Sequence, residues 1–198
     1  GTETQSMRMA SKLQQRTDHE ITGYTKEYAT DRDDDSLPYE VVRVPNWQVN
    51  PFVSTLTFVI AATLLLLRDT RDYDILQCMM IYPNGFVGRV VNAIRGLPYF
   101  AWVRGGDYYF MKDTPVKRGM IKSVLRDTRV LVQTERVAAD VRSEFNDASL
   151  TVLGNGVDIP PTTADGDEIV FVGRLKAQKG VDVLLHAAAD LDERVLIV

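Results

Sequence analysis

Glu168-Ile-Val-Phe-Val-Gly-Arg-Leu-Lys-Ala-Gln-Lys-Gly-Val-Asp-Val-Leu-Leu-His186 carries a strand, a turn and a helix in quick succession. Residues 168–172 read as a buried strand, and Gly173 lets the chain leave it tightly. Arg174 then projects from the C-terminal edge of that strand, and Lys179 follows five residues later at the start of the next helix, before Gly180. In the helix expected over 179–190, Val181, Leu184, Leu185 and Ala188 share one face at helical spacing. Residues 194–198 read as a second strand, so the whole is the opening of a βαβ unit. Ligands of open α/β sheets bind outside the C-terminal ends of the strands. Two cations beside a helix N-terminus, with its free N–H groups and positive dipole end, make an anion site. A diphosphate suits a forked guanidinium plus a mobile ammonium. The residues alone leave a second reading open, in which Arg174 and Lys179 are solvated loop cations.

Working outward, helical and strand patterns alternate nearly throughout, as expected for parallel sheets covered by helices. Helices are expected over residues 2–16, 84–95, 115–127 and 134–145. Strands are expected over 19–25, 39–44, 72–78, 98–103, 129–132 and 150–153. Residues 31–36 form an acidic, turn-rich loop. Pro160-Pro-Thr-Thr-Ala-Asp-Gly166 disfavours regular structure and reads as a linker between a first domain, residues 1–160, and a second beginning at 165. The chain begins at Gly1, directly before a helical pattern, and its last strand has no helix after it; both ends read as cut.

The 198 residues are 45% hydrophobic and 25% charged, with a net charge of −4, the profile of a soluble globular protein without general attraction to nucleic acid. The only cysteine, Cys78, cannot form an internal disulfide, which suits a reducing, cytoplasmic setting. Only His19 and His186 are present, and no zinc-type spacing occurs, so no metal site is expected. Residues 44–67 contain no Asp, Glu, Lys or Arg. A membrane span needs about 20 apolar residues, and here Ser54, Thr55, Thr57 and Thr63 interrupt a shorter run. The expectation is a helix buried between sheet and neighbours; peripheral docking at the inner face of a membrane is the alternative.

Several segments together resemble the family-four glycosyltransferases. The quoted run is similar to that family's donor-site motif V-G-R-L-x-x-x-K-G-x-D-x-L, with Val172, Gly173, Arg174, Leu175, Lys179, Gly180, Asp182 and Leu184 in register. Gly1-Thr-Glu-Thr4 resembles the end of the family's glycine-rich loop, and Asp18-His-Glu-Ile-Thr22 its G-H-E-V-T segment, where His19 is mainly structural. Pro83-Asn-Gly85, Gly96-Leu-Pro98 and Val103-Arg-Gly-Gly-Asp107 resemble the central P-N-G, G-I-P and V-H-G-x-D elements. Asn155-Gly-Val-Asp158 matches the N-G-V-D turn before the linker, where Asn155 either makes the turn or offers its amide to a ligand.

The resemblance implies a GT-B architecture of two Rossmann-like α/β domains with parallel sheets, the first binding the acceptor and the second, cut off at 198, binding the donor. It implies transfer of a hexosyl group from a nucleoside diphosphate sugar to a carbohydrate, lipid or small-molecule acceptor hydroxyl, with retention and without metal or other cofactor. Arg174, Lys179, Gly1, Gly173 and Asn155 would then serve the donor, and Arg104 and Asp107 would occupy the catalytic positions. The family's E-x7-E pair would lie beyond Val198, so the isolated chain is not expected to turn over. Arg104 departs from the family, which has histidine there. Arginine cannot act as a base at neutral pH. It is left as an anion binder, for acceptor, phosphate or donor pyrophosphate, or as a structural residue paired with Asp107 or another carboxylate. That departure keeps open a catalytically silent relative acting as a partner or regulatory subunit; a nucleotide-sugar epimerase or phosphorylase is the other alternative on the same fold.

Overall fold

Strand formation follows the apolar runs, and each strand extends as far as a neighbour exists to pair with. A computed structural model describes residues 2–27, 34–159, 161, 162, 166, 168–189, 191 and 193–198. Gly1, residues 31–33 of the acidic loop, and residues 160 and 163–165 of the expected linker lie outside the described residues. The chain divides into two compact units, Gly1–Asn155 and Gly156–Val198.

The first unit opens with α1 (Thr2–Arg16), then β1 (Thr22–Lys26), β2 (Glu40–Val44) and α2 (Pro51–Arg68). There follow β3 (Leu76–Cys78), α3 (Phe86–Arg95), β4 (Tyr99–Val103), α4 (Gly106–Tyr109), α5 (Pro115–Asp127), β5 (Val130–Val132), α6 (Glu135–Glu144) and β6 (Leu150–Val152). Strands β1 and β2 pair in parallel, and β3–β4–β5–β6 form a separate parallel sheet in that order. The expected strand at 72–78 shrinks to three residues because β4, its partner, begins at Tyr99, which pairs with Leu76. Likewise β1 begins at Thr22 rather than residue 19, since Glu40 is its first available partner.

Two apolar clusters hold this unit. The larger joins the β3–β6 sheet to α5 and α6 through Ala101, Val103, Val130 and Val132 against Ile121, Val124, Leu125 and Val141, all nearly or wholly buried. Each valine, leucine or isoleucine among them contributes about 1.5–3 kcal/mol on burial. The second gathers Val44, Phe58, Ala62, Leu66, Val87, Val91 and Leu97, so α2 rests on β2 and α3. Asn50 caps α2 by accepting from the Val53 N–H at 2.9 Å, and Pro51 occupies its first turn. This helix is long and apolar enough to cross a membrane by length and composition. The sequence suggests a helix buried between sheet and neighbours, but only one face of it is buried. Phe58, Ala62 and Leu66 face inward, whereas Phe52, Leu56, Ile60 and Leu64, each four residues apart, are exposed. The β1–β2 sheet and α3 cover one side only.

The second unit contains β7 (Glu168–Phe171), α7 (Val181–Ala188) and β8 (Arg194–Ile197), with β7 and β8 parallel. One expectation needs correction. Lys179 does not start the helix but closes a short 3-10 turn, Ala177–Lys179. Gly180 follows with φ 65°, and only then does α7 begin, since a left-handed residue interrupts helical geometry. The architecture is α/β with parallel sheets, the Rossmann-like class expected of a GT-B chain.

Candidate functional site

In the first unit the C-terminal ends of β3, β4, β5 and β6 lie side by side, because all four strands are parallel. The segments leaving those ends converge on Arg104, the first residue after β4. Its guanidinium Nε donates to the Met79 carbonyl, after β3, at 3.3 Å. Its Nη1 donates to Gln5 Oε1 of α1 at 2.7 Å and to Asn155 Oδ1, beyond β6, at 3.0 Å. Gln133, directly after β5, donates from Nε2 to the same Asn155 oxygen at 3.0 Å, and Gln5 Nε2 donates to it as well. The guanidinium carbon lies 3.7 Å from the centroid of the buried Trp102 ring, a stacked cation–π contact. Burial draws the Arg104 pKa down, opposed by the charge of Asp107. Arginine nonetheless stays charged.

Asp107 stands beneath this cluster, 8% exposed, in the four-residue helix α4. Oδ1 accepts the Arg104 backbone N–H and Oδ2 that of Ile81, both at 2.8 Å. One carboxyl thereby ties the turn after β4 to the irregular turn Ile81–Gly85 after β3. Burial pushes its pKa up to about 6 against the effect of those N–H groups. Asp107 thus meets Arg104 through the backbone, and the guanidinium forms no ion pair with it or with any other carboxylate among the described residues. Gly105 separates the two at φ 101°, ψ −78°, a conformation that only glycine enters readily.

A family profile for Glycosyltransferase Family 4 matches residues 1–159, spanning the whole of this unit. The chain belongs to Glycosyltransferase Family 4. It is also similar to an uncharacterized glycosyltransferase of Methanocaldococcus jannaschii, 24% identical over 126 residues, which make up 63% of this chain and 36% of that protein. The chain spans about a third of the length of that relative.

The run that resembles the family-four donor motif lies in the second unit. Gly173 extends the β7–β8 ladder, donating its N–H to Val198 O at 3.0 Å. It has no positive φ, and a Cβ there would meet the Phe171 ring only at ordinary contact distance, so no tight exit demands glycine. The demand falls on Gly180 instead. Arg174 and Lys179 are both exposed, and neither pairs with a carboxylate among the described residues. In this unit Arg194 pairs with Glu168 at 3.0 Å.

The structure therefore brings Arg104, Asp107 and Asn155 together, whereas Arg174, Lys179 and Gly173 belong to the other unit. Gln5, Gln133 and Trp102 are participants that sequence reasoning did not single out. Gln133 had a usable signal, being the first residue after a predicted strand, where α/β sheets present their ligand-binding groups.

Proposed function

We propose that this chain carries the acceptor-binding domain and the opening of the donor-binding domain of a retaining, nucleoside diphosphate sugar-dependent glycosyltransferase. In that reaction the acceptor oxygen bonds to the anomeric carbon while the bond from that carbon to the diphosphate breaks. Arg174 and Lys179 hold the diphosphate and offset its growing charge, so no metal is required in this reading. The acceptor in this reading is a carbohydrate, lipid or small molecule.

The observation that carries the reading is the exposed pair Arg174 and Lys179 just after β7, which no described carboxylate neutralises and which stands in register with the motif the sequence resembles. Calorimetric titration of the protein with nucleoside diphosphates tests it. Arg174→Ala should weaken binding by about 1.5–3 kcal/mol, the usual worth of a charged hydrogen bond. Unchanged affinity removes the assigned role. Arg104, in a position where the family has histidine, favours a second reading: a relative that binds nucleotide without transferring sugar. Donor binding together with no transfer to any acceptor class would select it.

A further inference from the structure

Three donors from three separate segments converge on one oxygen at the Arg104 cluster. Gln5 Nε2 from α1, Arg104 Nη1 from the end of β4 and Gln133 Nε2 from the end of β5 all point to Asn155 Oδ1. An amide oxygen has two lone pairs, so a third donor over-subscribes it. Every hydrogen bond made by the guanidinium goes to a neutral oxygen: Met79 O, Gln5 Oε1 and Asn155 Oδ1. Its Nη2 is buried with no hydrogen-bond partner among the described residues. Asp107 acts on it through space only, with both carboxyl oxygens committed to backbone N–H groups. A partly buried unit charge surrounded by neutral acceptors is incompletely compensated, and buried charges ordinarily find a counter-charge.

We propose that Arg104, Gln5 and Gln133 form an oxyanion site for a phosphoryl group of a substrate, which Asn155 Oδ1 occupies in its absence. A phosphoryl oxygen carries the charge that the amide oxygen lacks and accommodates the forked guanidinium and two amide donors together. The Trp102 ring under the guanidinium fixes its plane, so the fork is oriented before the ligand arrives. Asn155 is then an internal stand-in that the ligand displaces. The source of the phosphoryl group is either the donor's diphosphate or a phosphorylated acceptor. The proposal deepens the glycosyltransferase reading, but its first test does not depend on that reading.

Titrations of the protein with inorganic phosphate and, separately, with uridine diphosphate address it. For phosphate, Arg104→Met should lose at least tenfold in affinity and Gln133→Ala several-fold. Asn155→Ala should bind phosphate several-fold more tightly, because the competing carbonyl is gone. A merely structural asparagine would not produce that gain, and weaker binding by this variant overturns the displacement. Arg104→Lys keeps the charge but loses the fork, so its melting temperature near wild type with reduced phosphate affinity guards against misfolding of the methionine variant. Wild-type phosphate affinity in a folded Arg104→Met or Arg104→Lys overturns the site. If Arg104→Met weakens uridine diphosphate as much as phosphate, the donor's diphosphate is the occupant. If it weakens phosphate alone, the occupant is a phosphorylated acceptor. Phosphate binding that follows this pattern in a protein blind to nucleoside diphosphates retains the site while removing the nucleotide-sugar reading.

Discussion

Asp107 shows how one side chain can set the geometry of a site without presenting itself to a ligand. With each carboxyl oxygen taken by a backbone N–H at 2.8 Å, it fixes the two turns from which Arg104 and Ile81 emerge. Its pKa of about 6 lies above the unfolded carboxylate value of about 3.9, so the folded state holds its proton longer. Stability therefore falls as pH rises from about 4 to about 6, and the loss is complete above that window. Asp107→Asn should abolish this slope in urea unfolding measured from pH 4 to 7. It should also cost about 1–3 kcal/mol, since one backbone N–H would face an amide N–H instead of an acceptor. A slope that persists in the variant would assign the titration elsewhere. The sequence marked Arg104, Asp107 and Asn155 as site positions, but their contacts were not readable from it. Arg104 meets Gln5 and Asn155 across 99 and 51 residues of chain, so no local pattern in the sequence signals these contacts.

Among the elements, α3 illustrates packing at its closest. A Cβ built on Gly88 would stand 2.6 Å from Cys78 Sγ and 2.7 Å from the Tyr99 ring, so the helix lies on β3 and β4 with no room for a methyl group. Gly88→Ala should force the helix or the ring to shift, at about 1–3 kcal/mol. A melting temperature equal to that of wild type would mean the interface yields more easily than close-packed interiors do. Such contacts leave no periodic trace, whereas α1 and α5 have the bounds their apolar spacing predicts. Four-residue α4 is too short for any periodicity, and β3 was overestimated because a strand needs a partner as well as a pattern. For α2 the sequence gives the correct helix but not which of its apolar positions face outward, because its composition is apolar on every side.

At the scale of the molecule, the first unit is tied at Asp69, just beyond α2. That carboxylate accepts from Arg71 Nη2 at 2.7 Å, from the Tyr73 hydroxyl at 3.1 Å and from the Tyr24 hydroxyl of β1. Arg71 also pairs with Glu40 at the start of β2. The Arg71 guanidinium, first among these partners, holds the Asp69 carboxyl well below the usual carboxylate range. Its contribution is complete above the unfolded pKa of about 3.9 and is lost as pH falls below it. Asp69→Asn should therefore lower stability near neutrality by about 1.5–3 kcal/mol and make acid unfolding shallower. Equal acid transitions in both proteins would show that this network does not hold β1 and β2 in place. Cys78 offers another handle on the same unit. It is 7% exposed and its thiol is pushed up to about 12 by burial. A maleimide or disulfide reagent can react with this chain's single thiol only after the central layer has parted, so the speed of modification is a built-in clock for spontaneous opening of the molecule.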